Sequence, residues 1–154
     1  MTLPTRKLGK NGPQVTAIGA GLASLGHSYG HAGDDATRLA YLDKLYELGE
    51  TNWDDADIYG DTEELVGKWF TANPEKRKDV FFGTKFGCAV GETMTTRSDP
   101  EYVKEAFDRS INKLKTDYVD IYYCHRVDGK TPVEKTIEAM AELKRYTSPS
   151  YSYV

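Results

Sequence analysis

The sequence predicts an α/β fold built from parallel strands, and three observations carry that prediction. Four short strand-like stretches start near Val15, Thr51, Val80 and Tyr118, and each precedes a segment whose apolar residues recur at three- and four-residue steps. Each helical segment is bounded by a capping residue, proline or glycine. Consecutive strands separated by a helix run parallel, and the crossover helix covers a face of the sheet. Such units build closed eight-fold barrels or doubly wound open sheets, and both carry function in the loops after the strands.

The opening stretch "TRKLGKNGPQVTAIGAG" reads as a short hairpin. Asn11-Gly12 supplies positive-φ residues for its turn, and Val15, Ala17 and Ile18 begin a strand that ends in glycines. Gly19 and Gly21 let the backbone pass close to a neighbour. Asp34 or Asp35 caps the first helix, with Leu39, Leu42, Leu45 and Tyr46 as its apolar stripe and Gly49 as its close. "TNWDDAD" is a brief strand, and Asp61 or Thr62 caps the next helix, which carries Leu65, Val66, Trp69 and Phe70 on one face. "DVFFGTKFG" is the third strand. After the loop "CAVGETMTTRS", Asp99-Pro100 opens a helix with Val103, Phe107, Ile111 and Leu114 in register. "DYVDIYYCH" is the fourth strand, and Thr131-Pro132-Val133-Glu134 reads as a capping box before a stripe of Val133, Ile137, Met140 and Leu143.

The 154 residues, 39% hydrophobic and 29% charged with a mean hydropathy of -0.60, fit one soluble globular domain spanning 1–154. A net charge of -4 provides no field to attract nucleic acid or an anionic membrane, so a small-molecule or protein partner is expected. Cys88 and Cys124 are too few for a disulfide framework or a zinc site, and a cytoplasmic, metal-free protein is expected. The N-terminus lacks a signal-peptide core, and no stretch approaches the roughly 18 apolar residues of a membrane span. "GAGLASLG" is an incomplete dinucleotide fingerprint, because Ser24 stands where its third glycine belongs.

Four residues are expected to share the mouth formed by the strand ends. Asp54 and Tyr59 follow the second strand, Lys85 lies near the end of the third, and His125 ends the fourth. A phenol is a poor acid near pH 7 until a neighbouring ammonium stabilises its phenolate. Lys85 would supply that charge to Tyr59, Asp54 would hold Lys85, and His125 would donate a hydrogen bond to a substrate carbonyl. Read separately, the same residues describe a capped turn, a surface lysine and a structural histidine. Asp57 and Asp61 read as solvent-facing acids, and Asp55 has no evident role.

The segments "WDDADIYG", "EELVGKWF", "GTKFG" and "DYVDIYYCHRVD" resemble the aldo-keto reductases, NADPH-dependent carbonyl reductases on a (β/α)8 barrel. The likeness runs from about Arg6 to Arg145, and "YYCHRVDGKTPVEKTIEAM" is most similar to the branch of fungal pyridoxal and aryl-aldehyde reductases. The resemblance implies a catalytic tetrad of Asp54, Tyr59, Lys85 and His125 with Tyr59 as general acid. It also implies an NADPH site touching Gly21, Leu22 and Asp54, and a small carbonyl substrate. The fold it implies is the N-terminal half of a TIM barrel, about four parallel β/α units preceded by a short β-hairpin, with 146–154 a divergent tail. Asp55 stands where the family usually has threonine or serine, and Ala20 and Ala23 where this branch has larger residues along the cofactor wall.

The likeness stops after "AELKR", so a chain truncated after its fourth unit is expected. In relatives the later units carry the Ser-x-Asn pair and glutamine that hold the nicotinamide amide, a stacking tyrosine, and a basic loop for the 2′-phosphate. A half-barrel leaves strand edges unpaired and exposes its inner face, with Val119, Ile121, Tyr123 and Phe81-Phe82 as the candidates. Homo-oligomer formation over those edges is expected. The rival readings are a non-catalytic binding or oligomerising module and the product of a disrupted gene that never folds stably.

Overall fold

The computed structural model describes residues 3–89 and 95–144, and the divergent tail read at 146–154 lies outside them. The chain opens with an antiparallel hairpin, β1 (Thr5–Lys7) against β2 (Gln14–Thr16). The strand expected to run from Val15 into the glycines is two elements, because β2 closes the hairpin and β3 (Ala20–Gly21) starts the main sheet. In the hairpin loop, positive φ falls on Gly9, at 72°, and not on Asn11 or Gly12. Gly12 answers a different need, since a Cβ there would stand 1.5 Å from the Leu8 carbonyl oxygen.

Helix α1 (Asp35–Glu47) leads to β4 (Asn52–Asp54), and α2 (Thr62–Ala72) leads through a 3-10 turn to β5 (Phe81–Phe86). A short antiparallel pair, β6 (Cys88–Ala89) and β7 (Thr95–Thr96), follows within the stretch read as a plain loop. Residues 90–94 of that loop lie outside the described residues. Helix α3 (Pro100–Leu114), β8 (Ile121–Cys124) and α4 (Val133–Lys144) complete the order. The parallel sheet runs β3-β4-β5-β8, as expected for consecutive β/α units.

Capping explains where the first and third crossover helices begin. The Asp34 carboxylate accepts from Thr37 N at 2.9 Å and that of Asp99 from Tyr102 N at 3.0 Å, so each satisfies an orphan helical donor. Gly49, at φ 79°, ends α1 as predicted. Asp61 precedes α2 without capping it, because its carboxylate is held by Arg38 at 2.6 and 2.9 Å. Thr131 donates its hydroxyl to Asp128 at 2.8 Å instead of making the expected reciprocal box.

Strand alternation sorts side chains between two faces. Trp53, Phe82, Thr84, Phe86 and Tyr122 are buried beneath the helices, where Leu42, Leu65, Trp69, Val103 and Phe107 meet them. Trp53 stands edge-on to Trp69 with ring centroids 4.9 Å apart, and Phe107 meets Tyr122 at 5.1 Å. Phe82 and Val119 are therefore core, and of the residues expected on a bare inner face Tyr123 is exposed while Phe81 and Ile121 are half-buried. Helix α4 corrects another expectation: it buries Thr136, Ala139 and Met140 and leaves Val133 and Ile137 exposed. Its buried stripe is set by contact with α3 and by the Thr136 hydroxyl, which donates to Ser98 O at 2.7 Å.

The amino ends of β5 and β8 are clamped by buried Arg77. Its guanidinium donates to the carbonyls of Val80 (2.8 Å) and Tyr118 (3.0 Å) and pairs with Asp120 at 3.0 Å. The Phe70 and Tyr118 rings lie 4.9 and 3.9 Å from it. This end of the sheet is built for stability, leaving the carboxyl ends for chemistry.

Candidate active site

Asp54 ends β4, in register with Gly21 on one side and Gly83 on the other. Lys85 lies two residues past Gly83, so alternation returns it to the same face. Its ammonium donates to Asp54 Oδ2 at 2.7 Å and to the Asp55 carbonyl oxygen at 2.7 Å. The lysine is the more buried partner, with 14% of its side chain exposed against 48% for the aspartate, so the pair is only partly screened.

Tyr59 sits in the tight turn between β4 and α2. Its N–H donates to Ala56 O at 3.0 Å, and Gly60 turns the chain at φ 63°. The centre of the Tyr59 ring lies 5.0 Å from Lys85 Nζ. His125 follows β8, anchored by its backbone N–H on Phe86 O at 2.7 Å, and its ring meets that of Tyr59 edge-on at 5.9 Å and 88°. The fold thus brings Asp54, Tyr59, Lys85 and His125 to one mouth. Burial, then the positive charges of Lys85 and Arg126, hold the His125 imidazole below its ordinary value of 6.5, so it is neutral near pH 7.

The two residues expected beside Asp54 differ from one another. Gly21 is exposed, and a Cβ on it would meet nothing within 4 Å, leaving room for a flat ring next to Asp54. Leu22 is fully buried in the core, so it offers the mouth only backbone, with its N–H on Asp54 O at 2.9 Å. Ala20 is likewise core, where its small side chain packs in the sheet–helix layer and not along the mouth.

The acids of the turn are not a solvated cluster. Asp55 is 0% exposed; its Oδ1 accepts from Thr62 Oγ1 at 2.6 Å and from Ala56 N at 2.9 Å, while Oδ2 has no partner among the described residues. Burial pushes its carboxyl up to about 7, and it points away from the mouth, toward the start of α2. Asp57, expected in solvent, has a buried Oδ1 with no partner among the described residues and is pushed up to about 7 by burial and by Glu63. Asp61 is the half-exposed partner of Arg38, which holds it below the usual carboxylate range.

Sequence reading missed Gly26. A Cβ there would stand 1.8 Å from the Tyr59 carbonyl oxygen, so this glycine lets the turn that carries Tyr59 lie against the segment after β3. Only the contact reveals it, because Gly26 has no positive φ. A cleft of about 710 Å³ between α2 and α3, lined by Glu64, Lys68, Thr71 and Lys113 among others, includes none of the four mouth residues. Among the described residues no group of three or more His, Cys, Asp or Glu could hold a metal ion, and no helix is long and apolar enough to cross a membrane.

Comparison with known proteins matches residues 17–146 to the aldo/keto reductase family. The chain is 44% identical to "Aldo-keto reductase str7" of Strobilurus tenacellus, over 98% of its own length and 45% of that protein's. It is 39% identical to "Aldo-keto reductase yakc [NADP(+)]" of Schizosaccharomyces pombe, over 91% of this chain and 42% of the relative. The solved holo form of aldo-keto reductase AKR11C1 from Bacillus halodurans superposes with a TM-score of 0.83 at 31% identity, covering 97% of this chain and 49% of that one. The chain spans about half the length of the curated relatives it matches, and its sheet and helices correspond to the N-terminal half of their barrel.

Proposed function

The chain belongs to the aldo/keto reductase family, and from that premise we propose that it takes part in NADPH-dependent reduction of an aldehyde or ketone to an alcohol. One observation carries the reading: an ammonium held by Asp54 and Asp55 O lies 5.0 Å from the centre of the Tyr59 ring, and a neutral imidazole meets the same ring edge-on at 5.9 Å. Tyr59 delivers the proton to the carbonyl oxygen. Lys85 stabilises the negative charge left on the phenol oxygen, and Asp54 holds Lys85 in place. His125, uncharged, donates a hydrogen bond to the carbonyl and orients it without competing as an acid.

The nicotinamide cofactor, when bound, supplies the hydride. Gly21, the backbone of Leu22 and the carboxylate of Asp54 would line its ring, and the open space at Gly21 supports that fit. The choice of NADP follows the printed name of the Schizosaccharomyces pombe relative.

Titrating NADPH while following its fluorescence tests the reading. Saturable binding, with turnover of an aromatic aldehyde that Tyr59→Phe abolishes while leaving cofactor binding intact, is the expected result. Absence of saturable binding at millimolar cofactor would leave a non-catalytic module. Unchanged turnover in Tyr59→Phe would remove the assigned acid.

A further inference from the structure

Asp55 is the acid of the turn that packing does not explain. A wholly buried carboxylate with one oxygen unpartnered among the described residues is destabilising beside an isosteric neutral group. Its backbone ties it to Lys85 and to the strand that carries it. The Asp55 N–H donates to Gly83 O at 2.8 Å, tying the turn to the strand that carries Lys85. The Asp55 carboxylate, gripped by Thr62 Oγ1 and by Ala56 N, folds back over its own peptide and fixes how that peptide is turned. Thr62 opens α2, so the grip is anchored on a helix. The carbonyl of the same peptide accepts from Lys85 Nζ at 2.7 Å.

An ammonium carries three N–H donors. Asp54 Oδ2 takes one and Asp55 O a second. With two directions occupied, tetrahedral geometry sets the third, and the centre of the Tyr59 ring lies 5.0 Å from the same nitrogen. Were the Asp55 peptide to rotate, Asp54 alone would hold the ammonium, which would then swing about that single bond.

We propose that Asp55 is a positioning residue: its buried carboxylate fixes the peptide whose carbonyl captures one N–H of Lys85, and so sets the direction of the ammonium beside Tyr59. The inference rests on the proposed role of Tyr59 and Lys85, and it assigns a function to the buried acid next to Asp54. Thr62 is part of the same device, since its hydroxyl grips the carboxylate.

Nitrogen-15 NMR of lysine ammonium groups on the full chain tests it, with the Lys85 signal assigned by its loss in Lys85→Met. In the wild type, hydrogen bonding slows exchange of the Lys85 protons with water. Asp55→Asn retains an acceptor oxygen of the same shape and should keep that protection. Asp55→Ala should raise the exchange rate about tenfold, the factor that accompanies loss of one hydrogen bond to a charged group. Thr62→Val, which keeps the shape of the buried side chain, should raise it in the same direction and serves if Asp55→Ala fails to fold. Unchanged Lys85 exchange in a folded Asp55→Ala, or in a folded Thr62→Val, overturns the proposal. Where turnover is measurable, Asp55→Ala should lower kcat with KM nearly constant, and Asp55→Asn should restore it. If Lys85 responds as expected but NADPH does not bind, the proposed reduction fails while the positioning role stands. If turnover is present and Lys85 is indifferent to Asp55, the reverse holds.

Discussion

Replacing Gly26 by alanine tests whether the backbone beneath the turn places the phenol. A Cβ at Gly26 would lie 1.8 Å from the Tyr59 carbonyl oxygen, 2.6 Å from its carbonyl carbon and 3.0 Å from Thr62 Cγ2. The two nearest atoms are backbone, so no rotamer change relieves them. Opening the shortest contact to 3.0 Å moves the turn by roughly 1.2 Å, and a misplacement of about 1 Å costs on the order of 100-fold in rate. The overpacking itself should destabilise the fold by about 1–3 kcal/mol. The activity-independent assay is NMR of the His125 ring protons, whose ring-current shifts report the edge-on contact with Tyr59 at 5.9 Å. Gly26→Ala should move those resonances and lower the urea midpoint and, if the proposed turnover is measured, reduce kcat far more than cofactor affinity. Wild-type His125 shifts and an unaltered urea midpoint in the variant would refute the reasoning.

Further perturbations address other parts of the fold. Arg77→Met should destabilise by about 3 kcal/mol in urea, because it removes the cation paired with part-buried Asp120 and one hydrogen-bond donor each from the carbonyls of Val80 and Tyr118. A loss under 1 kcal/mol would mean the clamp is ornamental. Asp57 is pushed from 3.8 up to about 7 by burial, so the folded state holds a proton that the unfolded chain releases. That contribution is full below pH 3.8 and gone above about 7, so stability falls as pH rises through this window. Asp57→Asn should therefore gain about 1–2 kcal/mol over wild type at pH 8, the lower end reflecting its partial exposure, and nothing at pH 3.5. An equal difference at both pH values would contradict the assignment. We also propose that the edge of β8, unpaired among the described residues and with Tyr123, Val133 and Ile137 exposed near it in sequence, draws copies of the chain together. Sedimentation velocity should show dimers or larger species at micromolar concentration, and a monomer throughout would count against it.

Much of this protein was determined by short-range pattern. Apolar steps in α1 to α3, the cap residues Asp34 and Asp99, and the alternation of strand and helix are local features, and local sterics and hydrogen bonding suffice to make them. The spacing from Asp54 to Tyr59, and the position of Lys85 and His125 at strand ends, were legible for the same reason: once strands are parallel, their carboxyl ends share a mouth. Tertiary structure alone decided which charges are buried. In sequence Asp54, Asp55, Asp57 and Asp61 are equivalent acids in one turn. In the fold one meets Lys85, one is sealed against Thr62, one feels the charge of Glu63 with a buried oxygen unpartnered among the described residues, and one binds Arg38. Hydration is lost to neighbours that arrive from other elements, and no residue carries that information itself. The same holds for Gly26, whose need for a bare α-carbon exists only because the Tyr59 carbonyl packs against it, and for α4, whose buried face was chosen by α3.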